Sequence, residues 1–383
     1  MRETIFLIAL ASANSGIAMR IVEPMLPRLA MDFGVSVSIA SAVITGYALA
    51  YAGAQLAYGA LGDRFGKVRV VTFGLIGAAV ATFGCAFAWD VTSLAIMRFA
   101  TGMFASSAVM LGMAYIGDQV ALAERQPVIA RFIAGTIIGQ ALGPVVGGAA
   151  TDWIGWRGTF ALLGAVFAVV SLVLLVRTRA QWAGDVKRGP MGNPFKVYLQ
   201  IVRTSRVRYV LSIGILETFF FFGAFSFLGA FLKQRFDLSL TLIGMILAGF
   251  GVGGVFYTTV VRRLLKLLGQ RGMAACGGAV CFVCYVTTVL TPIWSVVIPC
   301  TLGLGFSFFM VHNTIQTKAT EMAPQARGSA LSLYTVAWAL GQAAGVAAMG
   351  VAISLVSYAP AIIAFGAGFL VLALWLRANL DRL

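Results

Sequence analysis

The chain has 383 residues, 60% of them hydrophobic and only 11% charged. A soluble domain carries about a quarter charged residues, so too few are present to cover a soluble surface, and a bilayer is the solvent that fits. The net charge of +15 would suit nucleic acid, but the Lys and Arg residues fall in short gaps between apolar runs. Without a contiguous basic face no nucleic-acid partner is expected.

Twelve runs of membrane-crossing length are predicted, at 4–24, 37–59, 70–89, 92–116, 128–150, 158–176, 208–231, 239–261, 272–290, 294–316, 327–350 and 357–377. Each approaches the roughly 20 apolar residues that a spanning helix needs. The first starts at Thr4 and continues into a full span, unlike a cleavable signal. An even number of spans puts both termini on one side. With that side cytoplasmic, the inner segments hold 22 Lys and Arg and the outer segments four, which follows the positive-inside rule and accounts for the high pI.

Near the outer end of the first span, Arg20 and Glu23 are three residues apart and share a helix face. They read either as a local ion pair or as a functional pair, since ionisable groups in a span are costly. Between the second and third spans lies GALGDRFGKVRV, 59–70. Its Gly-Lys pair is no phosphate loop, because Leu61 and Val68 stand where Gly and Ser or Thr are required. Gly59 and Gly62 allow close backbone approach and Gly66 permits a tight turn. Arg64, Lys67 and Arg69 are what any inner turn would carry, but Asp63 exceeds that need. An aspartate is stabilised at a helix N-terminus, and the eleventh span begins on the same side, near 324–329. Asp118, at the inner end of the fourth span, is positioned to pair with Arg69 or Lys67.

Arg98 lies a few residues inside the fourth span, where it either snorkels outward or serves a pathway. In the fifth span, GTIIGQALGPVVGG puts Gly139, Gly143 and Gly147 on one face, with Pro144 and Gly148 beside them. Small residues at that spacing let helices pack backbone to backbone. The longest connection, about 177–207, holds Gly184, Gly189, Pro190, Gly192, Asn193 and Pro194 with eight basic residues. It divides the spans six and six, into halves at 1–176 and 208–383 joined by a cytoplasmic linker. Glu217 sits about nine residues into the seventh span, with no basic residue within one turn. It is a candidate carrier of a coupling proton or a contact for a cationic substrate, against a structural alternative of bonding to a neighbouring helix. Phe219, Phe220, Phe221 and Phe222 follow it. Some of these rings face lipid and others are candidates for a greasy cavity. In the ninth and tenth spans Cys276, Cys281, Cys284 and Cys300 lie in apolar runs, as Cys85 does earlier. They read as small hydrophobes, so no metal or other cofactor is expected. His312, beside Asn313 near the inner end of the tenth span, reads more readily as a helix-end hydrogen bonder than as a relay. GQALG at 139–143 recurs as GQAAG at 341–345, an offset of 202, and Arg125 maps onto Arg327. The 59–70 stretch has a degraded counterpart in RRLLKLLGQRG.

The 59–70 stretch resembles the loop signature G-x-x-x-D-R-x-G-[RK]-[RK] of the major facilitator superfamily. Gly59, Asp63, Arg64, Gly66 and Lys67 match, and Val68 departs from the second basic position. The resemblance implies a cytoplasmic gate latch. G-x-x-x-G-P-x-x-G-G at 139–148 resembles the antiporter motif of the drug:proton antiporters in that superfamily, matched in full, and implies export. Leu94, Arg98 and Gly102 partly match a span-four pattern in which Thr101 replaces Gln, and EPMLP at 23–27 partly matches a start-of-transporter motif. The expected fold is therefore an all-α polytopic membrane protein, twelve helices in two pseudo-symmetric six-helix halves. The expected activity is proton-coupled efflux of amphipathic small molecules by alternating access. A monomer in a cell inner membrane, with the bilayer, protons and a small-molecule substrate as partners, completes the expectation. The alternative of comparable shape is a proton- or ion-coupled metabolite exporter or uptake symporter. An enzyme is not expected, because no nucleophile–base or metal set is visible in the sequence.

Overall fold

A bilayer offers no water to backbone polar groups, so an apolar chain must satisfy them within helices. The computed structural model describes residues 2–179, 182, 194–323 and 327–380, and those residues are helical nearly throughout. The helices run α1 (Arg2–Arg20), α2 (Leu26–Asp32), α3 (Val37–Ala40), α4 (Ala42–Phe65), α5 (Lys67–Ala86), α6 (Val91–Gln119), α7 (Leu122–Thr178) and α8 (Pro194–Arg203). They continue as α9 (Ser205–Phe225), α10 (Leu228–Phe236), α11 (Leu240–Leu290), α12 (Val297–Glu321), α13 (Arg327–Val356) and α14 (Tyr358–Asn379). Among the described residues, nine helical stretches are long and apolar enough to cross a membrane. Two of these, 131–178 with 48 residues and 240–290 with 51, are each long enough to cross twice. They break at Gly155 (φ 71°) and Gly269 (φ 63°). Gly184, Gly189, Pro190, Gly192 and Asn193, expected in the linker, lie outside the described residues, as do positions 324–326.

The helices outrun the apolar runs. The 59–70 stretch, expected as a loop, is helical on both sides of Gly66, which alone takes a positive φ of 89°. Charged residues need the headgroup layer and not a loop, so a helix can carry them past the hydrocarbon. The end of the bundle that holds Gly66 carries Arg64, Lys67 and Arg69 and is its basic end. At the opposite end, the first and seventh spans are shorter than expected. α1 stops at Arg20 and resumes as α2; α9 stops at Phe225 and resumes as α10.

The repeat recurs in the backbone, at an offset of 202 or 203 residues. All six positive-φ positions among the described residues fall into three pairs, Gly34 with Asp237, Gly66 with Gly269, and Gly155 with Ser357. Ser36 and Ser239 both cap helix N-termini by accepting from a backbone N–H three residues on. The packing repeats as well. A Cβ on Gly139 would overlap the Ala13 carbonyl, and one on Gly143 would meet Ile17 and Arg20. The counterparts Gly341 and Gly345 abut Ile215 and Phe219 in the same way.

Contacts between the first stretch (2–179) and the second (194–380) follow the same rule. Gly148 abuts Leu240, and Gly350 abuts Ser38. Gly244 packs on Pro144, and Gly251 on Ala141. Asp152 Oδ2 accepts from the Thr241 N–H at 2.7 Å and its hydroxyl at 2.6 Å. These contacts run from mid-bundle to the end opposite the basic one. Towards the basic end, a cavity of about 940 Å³ is lined by Ala9, Leu10 and Ala13 of α1 and Val128, Arg131 and Ile138 of α7.

Candidate functional site

Glu217 lies on α9 with its side chain fully buried. His312 of α12 brings Nδ1 to 3.2 Å from both carboxylate oxygens. The Tyr334 hydroxyl of α13 donates to Oε2 at 3.4 Å. Three helices thus converge on one acid, and the imidazole is the partly exposed member, 12% against 0% for the carboxyl. The His312 ring is held flat against Phe308 at 5.1 Å and lies 6.1 Å from the Tyr334 ring. It is therefore no helix-end hydrogen bonder, since α12 runs on to Glu321. Asn313 is half-buried on the same helix, within reach of the Tyr257 hydroxyl.

The aromatic run after Glu217 divides by helix geometry. Phe219 and Phe220 pack on Phe365 of α14, at 5.4 and 6.0 Å, rather than against His312. Phe221 and Phe222 meet Phe308 at 4.5 and 5.1 Å, and Phe222 meets Trp338 at 5.2 Å. The rings next to the acid are thus Phe221, Phe222 and Phe308, and not the first two of the run.

A second ionisable pair lies at the junction of the two stretches. Arg20 Nη1 donates to Glu23 Oε1 at 2.5 Å, with both side chains buried. The guanidinium lies over the Phe222 ring at 4.1 Å and within 6 Å of Phe250 and Phe225. Arg20 Nε and Nη2 and Glu23 Oε2 have no hydrogen-bond partner among the described residues. The Glu23 carbonyl sits 2.9 Å from where a Cβ on Gly229 would be.

Arg98 does not join this pair. It is buried within the first stretch, where Nη2 donates to the Ala18 carbonyl at 2.8 Å and the guanidinium lies over Tyr47 at 4.1 Å. A cation fully enclosed by an aromatic face and a carbonyl neither snorkels nor reaches the junction.

The glycine motif forms two seams. Gly139, Gly143 and Gly147 admit the α1 backbone, while Pro144 and Gly148 meet α11. At the basic end, Lys67 Nζ lies 2.5 Å from Asp118 Oδ2 and 3.1 Å from Asp63 Oδ1. Of the two partners open to Asp118 in the sequence, the structure places Lys67. Asp63 is 59% exposed and pairs within its own turn. The helix start expected to receive it lies partly outside the described residues. Arg64 lies over Phe65, and Arg69 over Phe73 and Trp182. Gly59 faces open space, whereas a Cβ on Gly62 would meet Leu111 at 2.5 Å.

Tyr334 is the site residue that sequence reasoning missed, and the Glu217–His312 contact is the missed relation. Their separations of 117 and 95 residues leave no local pattern.

A family model described as Major Facilitator Superfamily matches residues 8–346. The MFS-type transporter YceJ of Bacillus subtilis is 25% identical over 368 residues, covering 94% of this chain and 92% of that one. The efflux pump radE of Floropilus chiversii is 23% identical over 301 residues; the match covers 70% of this chain and about half, 54%, of radE. Among solved structures, a bacterial homologue of the human lysosomal transporter Spinster in an inward-facing, unoccupied conformation superposes with a TM-score of 0.79. It covers 100% of this chain and 97% of that one, at 17% identity. A POT family transporter in complex with a thioalcohol-conjugated peptide superposes with a TM-score of 0.81 at 14% identity, covering 99% and 96%.

Proposed function

Because the chain belongs to the major facilitator superfamily, and is thus a multi-pass membrane transporter rather than an enzyme, we propose that it exports amphipathic small molecules in exchange for protons. The observation that carries this reading is the fully buried Glu217 held by His312 and Tyr334. An acid inside the hydrocarbon costs a few kcal/mol, ~2.5–3.5 on insertion scales, and persists where it serves a pathway. The adjoining imidazole, with one ring nitrogen against both carboxylate oxygens, offers a partner for the same proton. A loaded carboxyl is neutral, and an unloaded one attracts a cationic or polar substrate that the surrounding rings can hold by apolar contact. Substrate and proton then compete for one group, which is antiport.

Twelve spans in two six-helix repeats are part of the proposal, supported by the paired positive-φ turns and by α7 and α11, each long enough for two crossings. Both termini lie in the cytoplasm of an inner-membrane monomer, on the reading that Lys and Arg favour that side. Cross-stretch contacts gathered at the opposite end support a state open at the basic end. Rocking about the junction would close that end, with the cluster of Asp63, Lys67 and Asp118 as its latch, and open the other. The resemblance of 139–148 to the glycine motif of drug:proton antiporters supports export over uptake.

The test is transport of a panel of amphipathic cations by purified protein in liposomes under an imposed ΔpH. Substrate movement opposite to the proton gradient is expected, falling to background for Glu217→Gln. Co-movement of substrate with protons, or an unimpaired Glu217→Gln, would overturn the reading.

A further inference from the structure

A second concavity lies on the flank of the bundle, away from Glu217. It encloses about 490 Å³ between α4, α5 and α6. Ala54, Ala57, Leu61 and Phe65 of α4 line it together with Arg69 and Phe73 of α5. Ala57, Leu61, Phe65, Arg69 and Phe73 are exposed. The small side chains of Ala54 and Ala57 leave the space that Leu61 and Phe65 border.

The groove has one charged end. From Ala54 to Phe65 is eleven residues, or about 16 Å at roughly 1.5 Å per residue. One leaflet of hydrocarbon is about 15 Å deep, half of a core of about 30 Å. The groove therefore reaches from mid-bilayer to the headgroup layer, where Arg69 stands at its mouth. Arg69 has no carboxylate partner among the described residues. Its guanidinium is instead flanked by Trp182 at 5.7 Å and Phe73 at 6.0 Å. Trp182 is itself fixed, with Nε1 donating to Thr178 Oγ1 at 3.3 Å and its ring 5.8 Å from Phe73. The rings steer the cation without neutralising it, and a guanidinium presents a fork suited to phosphate oxygens.

We propose that this groove binds an anionic phospholipid, one acyl chain along α4 and the phosphate on Arg69. A zwitterionic lipid would bring a cation to an end that is net basic, since Lys67 is matched by Asp63 and Asp118 while Arg64 stands beside Arg69 at the same helix end. Basic pockets between spanning helices are recognised by anionic headgroups in this way. The proposal rests on the groove and on membrane embedding, and not on the direction or coupling of transport.

Native mass spectrometry of the delipidated full chain decides it, with dioleoyl-phosphatidylglycerol and dioleoyl-phosphatidylcholine titrated in parallel. Wild type is expected to retain the phosphatidylglycerol about fivefold better, the attraction of one arginine for an anionic lipid. Arg69→Gln should abolish that preference, and Arg64→Gln, whose side chain does not line the groove, should keep it. Ala57→Trp should reduce retention of both lipids by filling the channel. Equal retention of the two lipids by wild type would overturn the proposal. So would a wild-type preference in Arg69→Gln, or equal losses in Arg64→Gln and Arg69→Gln, which would mean diffuse attraction to a basic surface.

Discussion

At the scale of the residue, the ionisable groups inside the bundle separate into three environments. Arg98 is enclosed by its own stretch of chain, Glu217 is shared by three helices, and Arg20 with Glu23 bridges to the other stretch. Buried pairs of the last kind cost most when half is removed, because the survivor keeps its charge without a partner. Arg20→Met is expected to destabilise the detergent-solubilised protein by about 3–5 kcal/mol, and Arg20→Met with Glu23→Leu by much less. Thermal unfolding of the single and double variants checks this. If the double variant were as unstable as the single, the pair would not be the source of the loss. The sequence located all these groups, since a charge in an apolar run stands out without any structure. It could not supply their partners. His312 and Glu217 are on different helices, and the 12° stacking of His312 on Phe308 that aims the imidazole is a property of tertiary packing.

At the scale of the element, the glycine spacing was fully legible. Residues four apart share a helix face, so Gly139, Gly143 and Gly147 had to form a seam, and the structure lays α1 in it. Helix ends were less legible. Hydropathy marks where the hydrocarbon ends, whereas caps and glycines mark where a helix ends, and here the two differ by several residues at α4, α7 and α11. The seam predicts a symmetrical effect. Gly139→Val and Gly341→Val should each cost about 1–3 kcal/mol from overpacking, roughly additively, as their sites are distant. A harmless Gly341→Val would mean that the two seams are not equivalent. The start of α6 allows a pH test. Asp90 accepts from the Ser93 N–H, and the Ser93 hydroxyl answers at the Asp90 N–H, forming a capping box. The backbone bond first, and the side-chain bond second, hold the Asp90 carboxyl below the usual aspartate range. A lowered carboxylate pKa gives stability that is present above the ordinary aspartate range and fades as pH falls through the lowered value. Asp90→Ala should therefore lower Tm at neutral pH, and the gap from wild type should close in acid. A gap independent of pH would discount the charge.

At the scale of the whole molecule, the contacts between stretches make a falsifiable statement about motion. A Cβ on Gly350 would stand 3.3 Å from the Cβ of Ser38, close to disulfide geometry. In a background with the exposed Cys276 replaced by serine, Ser38→Cys with Gly350→Cys should cross-link on oxidation. Transport should stop and should return with reductant. Undiminished transport by the cross-linked protein would show that this end does not open. The repeat that places these residues was visible in the sequence as the match of GQALG with GQAAG, the mapping of Arg125 onto Arg327 and a degraded counterpart of the 59–70 stretch. The backbone carries it much further, because a turn that needs positive φ is kept even where glycine is not, as at Asp237 and Ser357.

Arg20 and Phe222 occupy corresponding positions 202 residues apart, and they touch. In a two-fold arrangement, a position that meets its own counterpart lies on the rotation axis. Two identical copies related in this way would set an arginine against an arginine across a few ångströms of oil. Cation against ring is workable only once the copies differ. Within one polypeptide the two positions are free to differ, and the junction holds a charge on one side and an aromatic face on the other.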